Sequence, residues 1–399
     1  MICRHLTGWL MAGALLLSGA ACLDTAGPAF NGGVAVDTVA FQSVEAGGAH
    51  SCGIVEDGVA YCWGNNDFGQ LGTGNLQGYA FPRQVAQGDL EFTSVAAGVV
   101  TSCAITIDQE VYCWGYNQYG QVGDGTVDQV LVANPTKVVG DHQFTMVSAG
   151  GAHVCGLVND GEAWCWGLAG SGVLGNDSAG EDTWSAAPDS ALTAERFGSI
   201  SAGPGHTCGL TLSGEAYCWG DNTRGQLGDG TNVNADVPIK VVGGVLFQEI
   251  DVGADHTCAL DIEGNAYCWG AGFYGQLGNA DQIASDTPVM VTGDHKFQSI
   301  TAGTNYTCAV DDGSVAYCWG YNEDGRLGDG SLTGRNEPTV VSGDLEFETV
   351  DAGEGSPNTA TCGFTLTGSV YCWGHGLLGQ LGGGQLSSSS VPVKVAGQL

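Results

Sequence analysis

Apolar and polar residues alternate along this chain in short runs, and Gly or Asp separates one run from the next. One kind of run reads Phe-x-x-(Val/Ile)-x-(Ala/Val)-Gly, as in Phe41 to Gly47, Phe144 to Gly150 and Phe347 to Gly353. Another is led by proline: Pro135-Thr-Lys-Val-Val139, Pro238-Ile-Lys-Val-Val242, Pro288-Val-Met-Val291 and Pro338-Thr-Val-Val341. Two further runs, each holding one Cys, complete the set. Period-two alternation bounded by turn residues predicts β-strands. Past the N-terminal segment no stretch has helical periodicity.

The set recurs. Cys-Trp-Gly occurs at Cys62, Cys113, Cys165, Cys218, Cys268, Cys318 and Cys372, at spacings of 50 to 54 residues. A period of that size points to a propeller or a solenoid. Seven units of four short strands can close into a ring, and closure removes nearly all exposed sheet edges. The expected fold is all-β: a seven-bladed propeller of four-stranded antiparallel blades, closed by a terminal strand. If each unit opens on its proline-led run, there is one run too many. Val34 to Val36 precedes the first unit, and Pro392-Val-Lys-Val395 follows the last. Only the second carries the Pro and Lys of the repeat, so Val391 to Val395 is expected to complete the blade begun at Phe41.

The 68 glycines fall at fixed places in each unit, which marks turns and close packing rather than disorder. Ten Lys plus Arg stand against 43 Asp plus Glu, a net charge of −33. Such a chain repels phosphate backbones, which excludes nucleic acid as a partner class. A soluble, solvated exterior accounts for the acidity; a basic partner is also compatible with it.

Residues 1–21 have the composition of a secretory signal: Arg4 and His5, an apolar stretch from Leu6 through Leu17, then Ser18-Gly19-Ala20-Ala21-Cys22. The apolar part is too short and too Gly-interrupted for a membrane span. Cys22 at the cut resembles the lipidated Cys of a bacterial lipoprotein, although Gly19 stands where Leu is usual. Lipidation of Cys22 is favoured, with plain cleavage near Ala21 and soluble secretion as the alternative. Residues 22–33 then form a tether, and 34–399 the propeller. The chain is expected to be a monomer that meets the membrane only through its lipid.

Of sixteen Cys, Cys3 lies in the signal and Cys22 at the cut. The other fourteen form pairs ten positions apart: Cys52/Cys62, Cys103/Cys113, Cys155/Cys165, Cys208/Cys218, Cys258/Cys268, Cys308/Cys318 and Cys362/Cys372. An even remainder in an exported chain reads as disulfides. In the first pair the turn is Asp57-Gly58. If Val59 faces Val55, Cys62 faces Cys52 on a non-hydrogen-bonded site, where Cα atoms approach to roughly 4.5 Å. Zinc favours closer Cys spacing and reducing surroundings. The turn glycine recurs at Gly161, Gly214, Gly264 and Gly368, but Gln109 replaces it in the second repeat. In the sixth, Gly313 comes one place early, so those two turns are expected to differ.

The pattern Phe-x-x-Val-x-Ala-Gly-x-x-His, then Ala-Tyr-Cys-Trp-Gly-x-Asn-x-x-Gly-Gln-Leu-Gly-Asp-Gly, resembles the regulator-of-chromosome-condensation repeat. Phe197 to Gly230 shows nearly all of it. The resemblance runs from about residue 34 to the end and implies the same seven-bladed propeller; the paired Cys suit a secreted bacterial branch. The family's namesake is a nuclear exchange factor for a small GTPase that also contacts nucleosomes, through a hairpin wedge and a basic arm. No repeat here has an insertion long enough for a wedge, and this chain is acidic. A secreted propeller inhibitor of β-lactamase, which grips a protein with one face, is nearer in setting.

His50, His153, His206 and His256 each lie two residues before a Cys. A ring of imidazoles in a channel could hold a metal, yet Thr101, Tyr306 and Thr359 or Ala360 take the position elsewhere. A structural hydrogen-bonding role is the better reading, and no metal or other cofactor is expected. Acidic turns such as Asn322 to Gly325 lack the ligand order of a calcium loop. No nucleotide-binding loop, zinc-protease motif or nucleophile elbow occurs. The informative positions lie between Trp-Gly and Gly-Gln-Leu-Gly. Phe68, Tyr119, Arg224, Tyr274 and Asp324 vary there on an otherwise constant frame. They are either packing between blades or the anchors of a binding rim. The expected function is non-enzymatic binding of a protein or surface polymer through one face. A polymer-degrading enzyme with its site at the channel mouth, and an intracellular exchange factor, are the alternatives.

Overall fold

The computed structural model describes residues 39–398 apart from 179, 181–182 and 356. Within them the chain forms 28 strands in seven four-stranded antiparallel sheets, and one short 3-10 turn at Gly170–Gly172. The first blade holds β1 (Phe41–Ala46), β2 (His50–Val55), β3 (Ala60–Gly64) and β4 (Tyr79–Gln84), paired in chain order. The last holds β25 (Phe347–Ala352), β26 (Ala360–Thr365), β27 (Val370–Gly374) and β28 (Ser389–Lys394). First strands of successive blades pack against one another all the way round, so they line the axis. The second strand is buried along its whole length in β2, because both of its faces meet neighbouring blades. The proline-led run is the outermost strand, an edge where a missing N–H costs no ladder bond.

The expected closing strand is not observed. Val391 to Val395 contributes to β28, which pairs with β27 of its own blade through Tyr371–Lys394 and Cys372–Val393. The first blade takes its fourth strand from Tyr79–Gln84 instead. Each blade is therefore one contiguous stretch of chain, opening on Phe and ending on the proline-led run. The same pairing, Tyr217 to Lys240, recurs in the fourth blade. Val34 to Val36 lies outside the described residues.

The ring closes through the joint that every other pair of blades uses. The indole N–H of each Cys-Trp-Gly tryptophan donates to a carbonyl of the preceding blade: Trp114 to Gln70 at 2.9 Å, Trp219 to Val173 at 2.8 Å and, across the seam, Trp63 to Gln380 at 2.9 Å. Gly47, Gly98, Gly150, Gly203, Gly253, Gly303 and Gly353 form a second closed circuit. A Cβ on any one would come within 2.3–2.9 Å of the carbonyl oxygen of the next, and Gly353 meets Gly47. Only glycine permits that approach. The seam core mixes Phe41, Val44 and Trp63 with Cys362, Val370 and Leu381, all buried. A backbone bond from Val39 N to Gly397 O, 2.8 Å, adds the chain's two described ends.

The Cys pairs face each other in register, as Cys52 does Cys62. All seven are bridged with Cα atoms 4.0–4.1 Å apart. The two hairpin turns expected to differ do not. Gln109 (φ 62°) and Ser314 (φ 63°) adopt the left-handed conformation that Gly58 (φ 76°) has. Their N–H groups close the turn onto Thr106 and Asp311, and their carbonyls accept from Phe144 and Phe347 of the next blade. Four fixed backbone partners outweigh the side-chain penalty of about 1–2 kcal/mol.

Candidate functional site

One face of the ring carries the loops that join third to fourth strands. A buried Asn frames these loops where the repeat supplies it. Asn66 accepts from Leu71 N and donates to the carbonyls of Asn75 and Gln77, while Asn222 does the same for Leu227, Thr231 and Val233. The Gln of Gly-Gln-Leu-Gly then fixes the variable position two residues earlier. Its side-chain oxygen accepts from the N–H of Phe68, Tyr119, Arg224 and Tyr274 at 2.8–3.0 Å. In the sixth blade Arg326 replaces that Gln and pairs with Asp324 at 2.8 Å. The five positions thus sit at equivalent seats of one rim.

Both sequence-level readings of these side chains have a counterpart in the contacts. Phe68 lies edge-on to Tyr116 of the next blade at 5.1 Å, and Tyr274 to Tyr321 at 5.2 Å. Arg224 lies over Phe273 at 5.3 Å. Yet Phe273 is 52% and Tyr274 45% exposed. The rim aromatics join blades through one edge and offer the rest to solvent.

The histidines do not line the channel. His50, His153, His206 and His256 open second strands and point into the joints between blades, where Nε2 meets the hydroxyl of Ser102, Thr207, Thr257 or Thr307 at 2.7–2.9 Å. Each hydroxyl donates to the carbonyl that also receives the Trp indole, as Ser102 does to Gln70. It must therefore accept from His, which places the proton on Nε2. Burial pushes His50, His206 and His256 down to about 3 and His153 to about 4, so all four are neutral. In the sixth blade Tyr306 takes the position and donates to Ala360 O. Among the described residues no group of His, Cys, Asp or Glu is arranged to hold a metal ion.

Two features of the axis were not read from the sequence. The first is a cavity of about 430 Å³ lined by Glu45, Glu249, Asp251, Asp351 and Glu354. Asp251 and Asp351 accept from the N–H of Ala302 and Ala46 in the following blades. Burial pushes both carboxyls up, Asp351 to about 7; it also raises Glu249 to about 7, and Glu45 and Glu354 well above their ordinary range. The second is the connection between β25 and β26, longer than its counterparts. Its Gly355 lies against Val99 and Pro204, so the loop crosses the axis. Arg326, fully buried, holds it through Pro357 O and Thr359 and lies over the rings of Tyr306 and Tyr321. The signal was present: Gly325-Arg326-Leu327-Gly328 is the one copy of Gly-Gln-Leu-Gly with a charge in place of Gln.

Cys22 and the signal and tether residues lie outside the described span. Seven buried bridges suit an oxidising, extracellular setting. No helix among the described residues is long and apolar enough to cross a membrane.

A ring of like blades with a constant frame and variable seats defines a repeat β-propeller. The RCC1-like domain family matches residues 13–360, and the chain belongs to that family. It is 30% identical over 208 residues to the ultraviolet-B receptor UVR8 of Arabidopsis thaliana, covering 52% of this chain and 47% of that protein. It is 32% identical over 200 residues to the human probable E3 ubiquitin-protein ligase HERC6, covering 49% of this chain and 20% of HERC6. The match therefore spans about half of the first relative and a fifth of the second. In fold it resembles human WBSCR16 (TM-score 0.76, 20% identity, 85% of this chain and 94% of that one). It also resembles Prp20p of Saccharomyces cerevisiae (TM-score 0.74, 20% identity, 90% and 87%), described with its binding to Gsp1p and histones.

Proposed function

We propose that this protein is a non-enzymatic, exported scaffold that binds a protein or surface polymer through the face bearing the third-to-fourth-strand loops. Lipid on Cys22 would hold it at the cell envelope as a monomer. The observation that carries the reading is the rim. Phe68, Tyr119, Arg224 and Tyr274 are held by the same backbone bond to the same Gln, yet differ in size and charge. Uniform support with variable side chains is what recognition on a repeat scaffold needs. Protein binding by Prp20p supports a protein as partner. Seven bridges and the acidic charge weigh against an intracellular exchange factor.

A photo-crosslinking residue at position 68, 119 or 274 of the full chain, expressed in its host, tests the face. Adducts from these seats and none from Glu91 or Glu346, on the opposite face, are expected. The reverse pattern would move the site to the other side. Palmitate incorporation lost in Cys22→Ser tests the anchor.

The cavity carboxyls favour a second reading, hydrolysis of an extracellular polymer, because raised carboxyls suit a general acid. Asp251, Asp351 and Glu249 are already committed to backbone amides, Glu249 to that of Ile300 at 3.1 Å, which leaves Glu45 and Glu354. Polymer turnover lost in both Glu45→Gln and Glu354→Gln would establish it.

A further inference from the structure

The rim is polarised in charge as well as in shape. The seven third-to-fourth-strand loops contain no lysine and only two arginines, Arg224 and Arg326. Arg326 is buried and paired with Asp324. Against them stand Asp67, Asp124, Asp221, Asp281 and Glu323, among others. Among the other described bases, Lys137 pairs with Glu110, Lys240 with Glu215, Arg196 with Asp160 and Arg335, just past the sixth of these loops, with Asp329.

The same sector shows how it holds a cation. Guanidinium groups already lie on its rings, Arg224 over Phe273 and Arg326 over Tyr321 at 4.9 Å. Beside them Phe273 and Tyr274 leave half their surface open, and the Tyr321 hydroxyl donates to the exposed Glu323 carboxylate. Val233, Ile283 and Leu332, on the same loops, are exposed and apolar. Rings for a cation, carboxylates for its charge and aliphatic surface for its methylene stem match a lysine or arginine side chain.

We propose that the sector over the fourth to sixth blades receives a Lys- and Arg-rich segment of a protein partner. This rests on the reading of the rim as the binding face. It adds the chemistry of the occupant.

The probe is a fluorescent peptide alternating Arg and Lys with Gly and Ser, titrated against the full propeller at near-physiological salt. A Glu-containing counterpart controls for the dye. Phe273→Ser with Tyr274→Ser leaves net charge unchanged and is expected to weaken binding roughly tenfold. Glu323→Gln, at an exposed site, should weaken it severalfold and keeps the test readable if the double variant unfolds. Glu91→Gln with Glu346→Gln, on the opposite face, should change it less than about twofold. Equal weakening by the opposite-face pair, or none by the aromatic pair, overturns the proposal as diffuse attraction to an acidic surface. Crosslinks from the rim into a neutral or acidic segment, or into a glycan, overturn the basic occupant but leave the rim as the binding face. Crosslinks confined to the opposite face remove both.

Discussion

Asp351, on the innermost strand of the last blade, accepts a hydrogen bond from the backbone N–H of Ala46, on the innermost strand of the first. Asp251 does the same for Ala302 at 2.7 Å, and Ser148, Ser201 and Thr301 supply hydroxyl acceptors to Ala202, Val252 and Ala352. The seam is thus held by side chains that reach one blade forward. Asp351→Ala leaves the Ala46 amide unsatisfied and should cost about 1–3 kcal/mol in urea unfolding. Asp351→Asn keeps an acceptor and should cost less. A neutral Asp351→Ala would mean that Trp63 and the glycine circuit suffice at the seam.

Two opposed sets of buried groups shape the dependence of stability on pH between about 4 and 7. The four buried His are held at about 3 or 4, below the 6.5 of the unfolded chain. Their contribution is complete above pH 6.5 and falls as pH drops, because the unfolded chain takes up protons that the folded one refuses. Glu249 and Asp351 are raised to about 7 from 4.5 and 3.8. Their contribution is complete below those lower values and is lost as pH rises through 7. Urea midpoints measured across pH 4 to 9 should fall less between pH 6.5 and 4 in His206→Gln, and should lose less between pH 4.5 and 7 in Glu249→Gln. Unchanged slopes would show that these groups do not set the profile.

Removing one bridge, as in Cys258→Ala with Cys268→Ala, should cost at most about 3 kcal/mol. The loss should be smaller than loop entropy alone gives, because the hairpin already holds the two positions together. Mass mapping of the unreduced protein should link each Cys to the one ten places later. A link between blades would contradict the register.

Arg326→Ala strands the Thr359 hydroxyl and the Pro357 carbonyl, while the Asp324 carboxylate, 35% exposed, is rehydrated; the change should cost about 1–3 kcal/mol. Arg326→Gln restores the residue of the other repeats and should recover part of that loss. In both variants, amide exchange should rise first at Glu354, Gly355, Asn358 and Thr359, in the loop that Arg326 holds. Protection there equal to the parent would mean that contact with Val99 and Pro204 positions the loop by itself.

Gln109→Gly and Ser314→Gly should each stabilise the protein by about 1 kcal/mol, since both residues sit at positive φ without steric need. The gain is read as a higher urea midpoint at constant slope. A loss would show that Gln109, whose side chain accepts from Asn159, stabilises through that contact instead.

Most of the architecture was legible because it is repeated: strand count, blade count and the ten-residue pairing of Cys each have seven copies. The phase of the repeat was not. A periodic pattern looks the same whichever strand is taken as the first, so Pro392 to Val395 reads equally well as the start of a blade or its end. Only pairing settles it: the partner of Lys394 is Tyr371 of its own blade, whereas Tyr61 of the first blade pairs with Gln84. The rim was legible as variation against a constant frame. The axial carboxylates were not, since Glu45, Asp251 and Asp351 resemble ordinary exposed alternation until the ring brings them together. Arg326 was visible as a departure from Gln, but its burial follows from Tyr306 and the loop of the next blade.

Val39 bonds to Gly397 across the seam, and the joint there repeats the Trp, glycine and side-chain contacts found between any other two blades. Topologically the ring has no privileged beginning. Because each described blade takes all four strands from one contiguous stretch, a circular permutant that joins the regions around Val39 and Gly397 and opens between two other blades would cut one connecting loop and leave every four-stranded sheet intact. The point at which the ring is opened is thus free to shift by whole blades without tearing a sheet.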